Sequence, residues 1–271
     1  MSYFEPLKPS DITASQLILS LLSATPEGYL STAQLVSAGS LFEIDPTALR
    51  MAVSRLIRDE RVMSVRRGVY AIGPTSKHLN DFVTSWRRVR TLKTNWTGEW
   101  LAVLTSHLGR SDRKRLRVRE HALQLFGFAH DASGGWVRPA NLDRTLSDIK
   151  NDLTSLGVEA EAIYLRIAES VKPDTVCWRT RWDVDALNRS YRDADQILHN
   201  SSKALANTPL EEAAQISFLH GQSVIALINR DPLLPFEILG SDAFDQMHSQ
   251  MLAFDKTGRE IWSNFFSKNQ T

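Results

Sequence analysis

The stretch Ile44-Asp-Pro-Thr-Ala-Leu-Arg-Met-Ala-Val-Ser-Arg-Leu-Ile-Arg58 predicts a helix with a marked start and two different faces. Asp45 can accept hydrogen bonds from the first backbone amides, and Pro46 suits the first helical position because no amide hydrogen is needed there. Apolar residues at positions 49, 52, 53 and 56 recur at helical spacing and form one stripe. The opposite face is cationic, with a small residue near its N-terminal end. It comprises Thr47, Arg50, Met51, Ser54, Arg55 and Arg58.

That outer face is typical of a helix that enters the major groove of DNA, where arginine pairs with guanine edges or phosphates. A solvated helix face is the alternative. The neighbouring segments favour the DNA-binding interpretation, because residues 31–39 predict a short capped helix at helix-turn-helix spacing from Asp45. An apolar helix predicted over residues 10–22 supplies the third wall of a small core.

A short basic hairpin is predicted directly after this helix, over residues 62–72. Arg67 and Gly68 lie between two β-prone runs, and glycine suits the positive φ of a tight turn. Arg66, Arg67 and Tyr70 would then lie on a wing, where arginines bind phosphate or enter the minor groove. Together these segments predict an N-terminal winged helix-turn-helix.

The charge is unevenly distributed along a chain whose net charge is only +1. Residues 45–90 carry ten Lys or Arg against four Asp or Glu, which gives +6. Residues 183–271 carry seven against twelve, which gives −5. Sampling noise is one explanation of this asymmetry, and a basic segment that meets a polyanion is the other.

The remaining chain predicts two further parts, so that we expect an α+β multidomain protein. Strand and helix patterns over residues 93–175 follow a βαββαβ order, which predicts a central ferredoxin-like α+β domain. Residues 176–271 lack strand periodicity and predict an all-α C-terminal domain, whose aromatic residues suit an effector site or a dimer interface. The winged helix-turn-helix then occupies residues 1–75, and a helical connector occupies residues 76–92.

Several classes of protein are disfavoured by what the sequence lacks. Cys177 is the only cysteine, so no disulfide can form within the chain, and a cytoplasmic protein without a membrane span is expected. No Cys/His metal spacing, phosphate-binding glycine loop or nucleophile motif occurs. We therefore expect neither a metal, nor a cofactor, nor an enzyme.

Three blocks of sequence resemble the phenylacetic acid catabolism repressor (PaaX) family, in the same order and over essentially the whole chain. The first block is Leu41-Phe42-x-Ile44, residues 49–56 and Arg67-Gly68-x-Tyr70. The second block comprises Trp96-x-Gly98-x-Trp100, the basic residues 113–119, Phe126-Gly127-Phe128 and Gly135-Trp-Val-Arg-Pro139. The third block comprises Trp178, Arg189-x-Tyr191, Asp231-Pro-Leu-Leu-Pro235 and Leu239. One departure is Asp59-Glu60-Arg61, because a turn containing glycine is expected before the wing.

The resemblance implies a homodimeric repressor of an aromatic-compound catabolic operon, which binds double-stranded operator DNA. Phenylacetyl-coenzyme A or a related acyl-coenzyme A would release it. The family's central domain is similar to CRISPR-associated ribonucleases, so a nucleic-acid-processing enzyme is an alternative. Strand 100–108 lacks the carboxylate that such a nuclease needs for its metal. A protein-interaction scaffold is the third alternative.

Candidate effector contacts are Arg113, Arg117, Trp182 and His220. Arg113 and Arg117 share a helix face within the densest basic cluster of the chain, which would suit either DNA phosphates or the nucleotide end of an acyl-coenzyme A. A solvated face paired with Asp112 and Glu120 is the alternative. Aromatic residues such as Trp182 serve as core or dimer interface more often than as ligand contacts, and His220 is as readily a hydrogen-bonded core residue.

Overall fold

The computed structural model describes residues 3–76, 85–131, 134–169 and 177–268. It is an α+β fold with two small antiparallel sheets and a helical C-terminal region, as predicted. Contacts divide the chain into two compact units. The central unit contains residues 88–190 and 227–245, and the N-terminal unit contains residues 4–87, 191–226 and 246–271.

The N-terminal part of the chain forms three helices and a small sheet. The elements are α1 (Ala14–Ala24), β1 (Tyr29–Ser31), α2 (Thr32–Ser40), α3 (Pro46–Arg58), β2 (Val62–Arg66) and β3 (Val69–Ile72). Strand β3 lies between β1 and β2 and is antiparallel to both. Helices α1 and α2 begin at capping boxes, in which Thr13 pairs with Gln16 and Ser31 pairs with Gln34.

The central unit carries a four-stranded antiparallel sheet in the order β5-β6-β4-β7. Its elements are β4 (Trp100–Leu104), α4 (Arg113–Leu125), β5 (Ala129–His130), β6 (Gly135–Pro139), α5 (Leu146–Ser155) and β7 (Ile163–Ile167). The predicted βαββαβ order is thus confirmed. Alternate residues of β4 face opposite sides of the sheet. Leu101 and Val103 pack in the core that includes both helices, while Trp100 and Ala102 pack with Trp96 on the other side.

The C-terminal helices do not pack as one separate domain. They are α6 (Val184–Leu205), α7 (Leu210–Asn229), α8 (Phe236–Leu239) and α9 (Ala243–Lys268). Phe218 of α7 and Trp262, Phe265 and Phe266 of α9 belong to the same buried core as Leu49 of α3. The contacts therefore divide residues 176–271 between the two units, which differs from the predicted boundary at residue 176. The physical reason is that three short helices bury little apolar surface alone, and the aromatic side chains of α7 and α9 complete their core.

The predicted helical connector over residues 76–92 lies partly outside the described residues. Its described part, Ser85–Leu92, is a 3₁₀ helix with Trp86 and Val89 buried.

A buried polar cluster fixes the loop at residues 231–235 to the central sheet. The guanidinium of Arg138 on β6 donates hydrogen bonds to the carbonyl oxygens of Phe126 and Pro232 and to Asn141 Oδ1. Asn141 Nδ2 in turn donates to the carbonyl oxygen of Leu233 at 2.7 Å. Gly127 has φ +74°, and a Cβ there would lie 2.6 Å from the carbonyl oxygen of Pro232. Two of the sequence blocks quoted above therefore meet in this cluster.

Candidate nucleic-acid interface

Helix α3 separates its two faces as predicted. The apolar stripe is buried and comprises Leu49, Ala52, Val53 and Leu56. All six residues of the predicted DNA-binding face are exposed to solvent: Thr47, Arg50, Met51, Ser54, Arg55 and Arg58. Met51 is 66% exposed, which is unusual for a methionine and leaves its flexible side chain available to a partner.

Asp45 caps the start of α3, also as predicted. Its Oδ1 accepts hydrogen bonds from the backbone amides of Thr47 at 2.7 Å and Ala48 at 3.2 Å. These bonds, that of Thr47 first, hold the pKa of Asp45 below its ordinary value. The cap fixes the first turn of α3, where a DNA-reading helix approaches the bases.

We expect Asp45→Asn to destabilise the protein in a pH-dependent way. Asparagine still caps the helix but lacks the charge that favours a helix N-terminus. Because the folded-state pKa of Asp45 is depressed, its charge stabilises the fold above the unfolded value of 3.8, and this contribution is lost as the pH falls through the lower folded-state pKa. Urea unfolding of both proteins over a pH series should show a gap between their midpoints at neutral pH that closes in acid. A gap independent of pH would contradict the charge effect.

Two of the arginines on α3 have intramolecular partners that the sequence did not reveal. Arg55 Nη2 donates to Ser15 Oγ at the start of α1 at 2.8 Å. Arg58 Nε lies 3.4 Å from Asp59 Oδ1, in an exposed pair that contributes little to stability. Ser15 therefore orients Arg55 across the outer surface of the three-helix segment.

The predicted hairpin is present, and it is tied to α2. Gly68 has the positive φ that the turn requires, at +73°. Its carbonyl oxygen accepts hydrogen bonds from the backbone amide of Thr32 at 2.8 Å and from Thr32 Oγ1 at 3.2 Å. Arg66 and Arg67 are exposed, whereas Tyr70 is only partly exposed and packs against the core. Tyr70 thus has a structural contact in addition to its predicted place on the hairpin.

The turn that precedes the hairpin has a glutamate where the family resemblance led us to expect glycine. Glu60 adopts φ +53°, in the left-handed region. The departure at Asp59-Glu60-Arg61 is therefore accommodated by backbone strain at a non-glycine residue, and β2 begins at Val62 as predicted.

The predicted effector contacts are not brought together within either unit. Arg113 and Arg117 are exposed on α4, which packs on the sheet face that carries Leu101. Trp182 stacks on Trp100 on the opposite face, with ring centroids 6.3 Å apart.

His220 belongs to the N-terminal unit. Its Nδ1 lies 2.6 Å from Ser201 Oγ, and burial lowers its pKa. It is the hydrogen-bonded, partly buried histidine that the sequence allowed.

The basic residues of the cluster at 110–119 do not all face solvent. Asp112 caps α4 by accepting hydrogen bonds from the amides of Lys114 and Arg115 at 2.9 and 3.1 Å. Arg119 points inward and is 2% exposed. It forms an ion pair with Glu159 at 3.1 Å and donates to the carbonyl oxygen of Gly109 at 2.7 Å. Arg119 is therefore a structural residue and not part of a phosphate-binding surface.

Among the described residues, no group of three or more His, Cys, Asp or Glu side chains is placed to hold a metal ion. None of the helices in the described part of the chain is long and apolar enough to cross a membrane.

Comparison with protein-family models and with curated proteins gives no match. Among solved structures, the fold is similar to that of the uncharacterized protein Rv0674 from Mycobacterium tuberculosis, with a TM-score of 0.65. The two sequences are 19% identical, and the alignment covers 96% of this chain and 99% of the other. This similarity shows a shared fold over almost the full length of both chains.

Proposed function

We propose that the protein is a DNA-binding transcription regulator that reads its target with α3. The observation that carries the proposal is the exposed face of α3, where Arg50, Met51 and Arg55 project from a helix whose other side is fully buried. The order of helices and strands from α1 to β3 is that of a winged helix-turn-helix, and the exposed Arg66 and Arg67 lie on its short wing. We assign the central sheet, by its strand order, to the ferredoxin-like class.

The resemblance to the PaaX family extends this proposal to a homodimeric repressor. One recognition helix contacts few base pairs, so two half-sites are needed to distinguish an operator from the genomic background. The effector would be phenylacetyl-coenzyme A or a related acyl-coenzyme A. Release from DNA requires that the effector bind the two states of the repressor with different affinity.

The experiment that tests the proposal is a fluorescence-anisotropy titration of the full-length protein against DNA from upstream of its own gene. It is run at two salt concentrations, with unrelated DNA as the control and with or without phenylacetyl-coenzyme A. Specific binding that the thioester reverses supports the full proposal. Specific binding that the thioester leaves unchanged supports the regulator and rejects this effector. Equal affinity for both DNAs rejects a sequence-specific regulator.

Arg67→Ala should weaken binding to all DNA sequences alike. An arginine on a wing binds phosphate and releases a counterion, so its loss lowers the slope of log affinity against log salt by about one. The titration above, repeated over four salt concentrations, measures this slope for specific and unrelated DNA. Lys203→Ala, which removes an exposed cation on α6, serves as the control and should leave the slope unchanged. A loss of affinity confined to the specific sequence would instead indicate that Arg67 contacts a base.

A further inference from the structure

The N-terminal unit contains a groove that none of the predicted effector residues line. Its volume is about 660 Å³, within the range of small-molecule sites. Its walls come from α1, β1, the hairpin, α7 and α9. The groove therefore joins the proposed DNA-binding elements to the C-terminal helices of the same unit.

The floor of the groove is aromatic. Phe218 of α7 and Phe254, Trp262 and Phe266 of α9 line it. The Trp262 ring contacts Phe218 and Phe266 edge-on or tilted, with centroids 6.1 and 5.4 Å away. Such a surface favours a flat apolar body, because aromatic rings bury large areas and stack on one another.

The lining of the groove carries two carboxylates, Glu27 and Asp255, and two guanidinium groups, Arg66 and Arg259. Asp255 accepts hydrogen bonds from Arg87 Nη2 and Nε, at 2.9 and 3.0 Å, and lies 3.2 Å from Arg259 Nη2. Around Asp255, two arginines against one carboxylate leave one positive charge in excess. Arg259 keeps 43% of its side-chain surface exposed and lines the groove, so its guanidinium can bind an anion.

The hairpin forms another part of the wall through Arg66 and Val69. The side chain of Arg66 is exposed, and it is also one of the proposed phosphate contacts. A molecule in the groove therefore lies against a side chain that DNA binding would use.

We propose that this groove binds a small organic anion with a flat aromatic body, whose body packs over Trp262 and whose anionic group pairs with Arg259. The occupied groove withdraws Arg66 from the DNA backbone and lowers DNA affinity. The proposed binding site does not depend on whether the protein binds DNA, whereas its effect on DNA affinity rests on the proposed function.

Binding is tested with two fluorescent probes that differ by one anionic group. The first is 8-anilinonaphthalene-1-sulfonate, and the second is its neutral counterpart N-phenyl-1-naphthylamine. The folded full-length protein should bind the sulfonate at one site per chain, about tenfold more tightly than the neutral probe. Equal affinity for the two probes, or binding of several molecules per chain, would overturn the proposed site.

Substitutions inside and outside the groove test whether the probe binds there. Arg259→Gln should weaken binding of the sulfonate about tenfold and leave the neutral probe unchanged, while Asp255 keeps its bidentate partner Arg87 and the helix keeps its fold. Arg192→Gln removes an exposed arginine of α6 that does not line the groove, and it should change neither affinity. Ser263→Trp, at an exposed position of the lining, should weaken both probes. An equal effect of Arg259→Gln and Arg192→Gln on the sulfonate would refute the assignment.

The effect on DNA is measured separately, by anisotropy of a red-labelled duplex at saturating sulfonate probe. We expect a several-fold loss of affinity that Arg259→Gln abolishes. Probe binding without any effect on DNA affinity would keep the site and reject the coupling. Absence of DNA binding in every condition would reject the proposed function alone, because the probe titrations contain no DNA.

Discussion

Arg50→Ala should lower affinity for the specific upstream sequence by about 5- to 150-fold, the range for loss of one bidentate arginine–base contact. Arg50 lies in the first half of α3, on the exposed face opposite the buried Leu49 and Val53. The loss should be smaller for unrelated DNA, because base contacts carry the sequence information while phosphate contacts bind all sequences. Anisotropy titrations of both DNAs at one fixed salt concentration measure the ratio of the two affinities.

Arg192→Ala is a matched control, since it removes an exposed arginine from α6 of the same unit. It should leave the affinity ratio unchanged, and sedimentation velocity should give the same oligomeric state for both variants and the parent. Arg55→Ala is the second test of the helix, and Ser15→Ala should reproduce part of its effect by removing the partner that orients Arg55. Unchanged affinity in both Arg50→Ala and Arg55→Ala would show that α3 does not read DNA.

The elements that build the candidate interface could be predicted from sequence because their signals are local. Asp45 and Pro46 mark the start of α3, and the apolar stripe that includes Leu49 identifies its buried side; the structure confirms both. Capping, helical periodicity and a glycine at a tight turn are properties of a few consecutive residues. Helix α3 accordingly begins at Pro46 and ends at Arg58, as its local signals predict.

Contacts between distant parts of the chain could not be predicted in this way. Phe218 and Trp262 have the pattern of helix-core residues, and nothing local indicates that their core is shared with Leu49. Arg119 and Arg117 look alike in the sequence, yet only the former meets a buried carboxylate, at Glu159. The groove also escaped prediction, because its walls come from four stretches that are far apart in the sequence, within residues 20–34, 66–69, 217–225 and 251–267.

Arg138→Met should destabilise the protein by about 3–5 kcal/mol, which is typical when one partner of a buried charged network is removed. Arg138 is 2% exposed and donates to the carbonyl oxygens of Phe126 and Pro232. Burial lowers its pKa to about 10, partly offset by Asp231, so the guanidinium stays charged at neutral pH. Methionine fills much of the same space but leaves these oxygens without their donor, and each buried unsatisfied group costs about 1–3 kcal/mol. Thermal unfolding followed by circular dichroism should show a midpoint lower by roughly 6–15 °C.

Arg166→Met is the control, because it removes an arginine from the same sheet that is not buried. Arg166 lies on β7, pairs with Glu99 at 2.9 Å and keeps 41% of its side chain exposed, so its loss should cost at most about 1 kcal/mol. Gly127→Ala disturbs the contact with Pro232 independently of Arg138. The added Cβ would lie 2.6 Å from the carbonyl oxygen of Pro232, at a residue with positive φ. If Arg138→Met and Arg166→Met had equal midpoints, the loop at residues 231–235 would not depend on Arg138. A large effect of both Arg138→Met and Gly127→Ala would show that the contact between this loop and β6 stabilises the central unit.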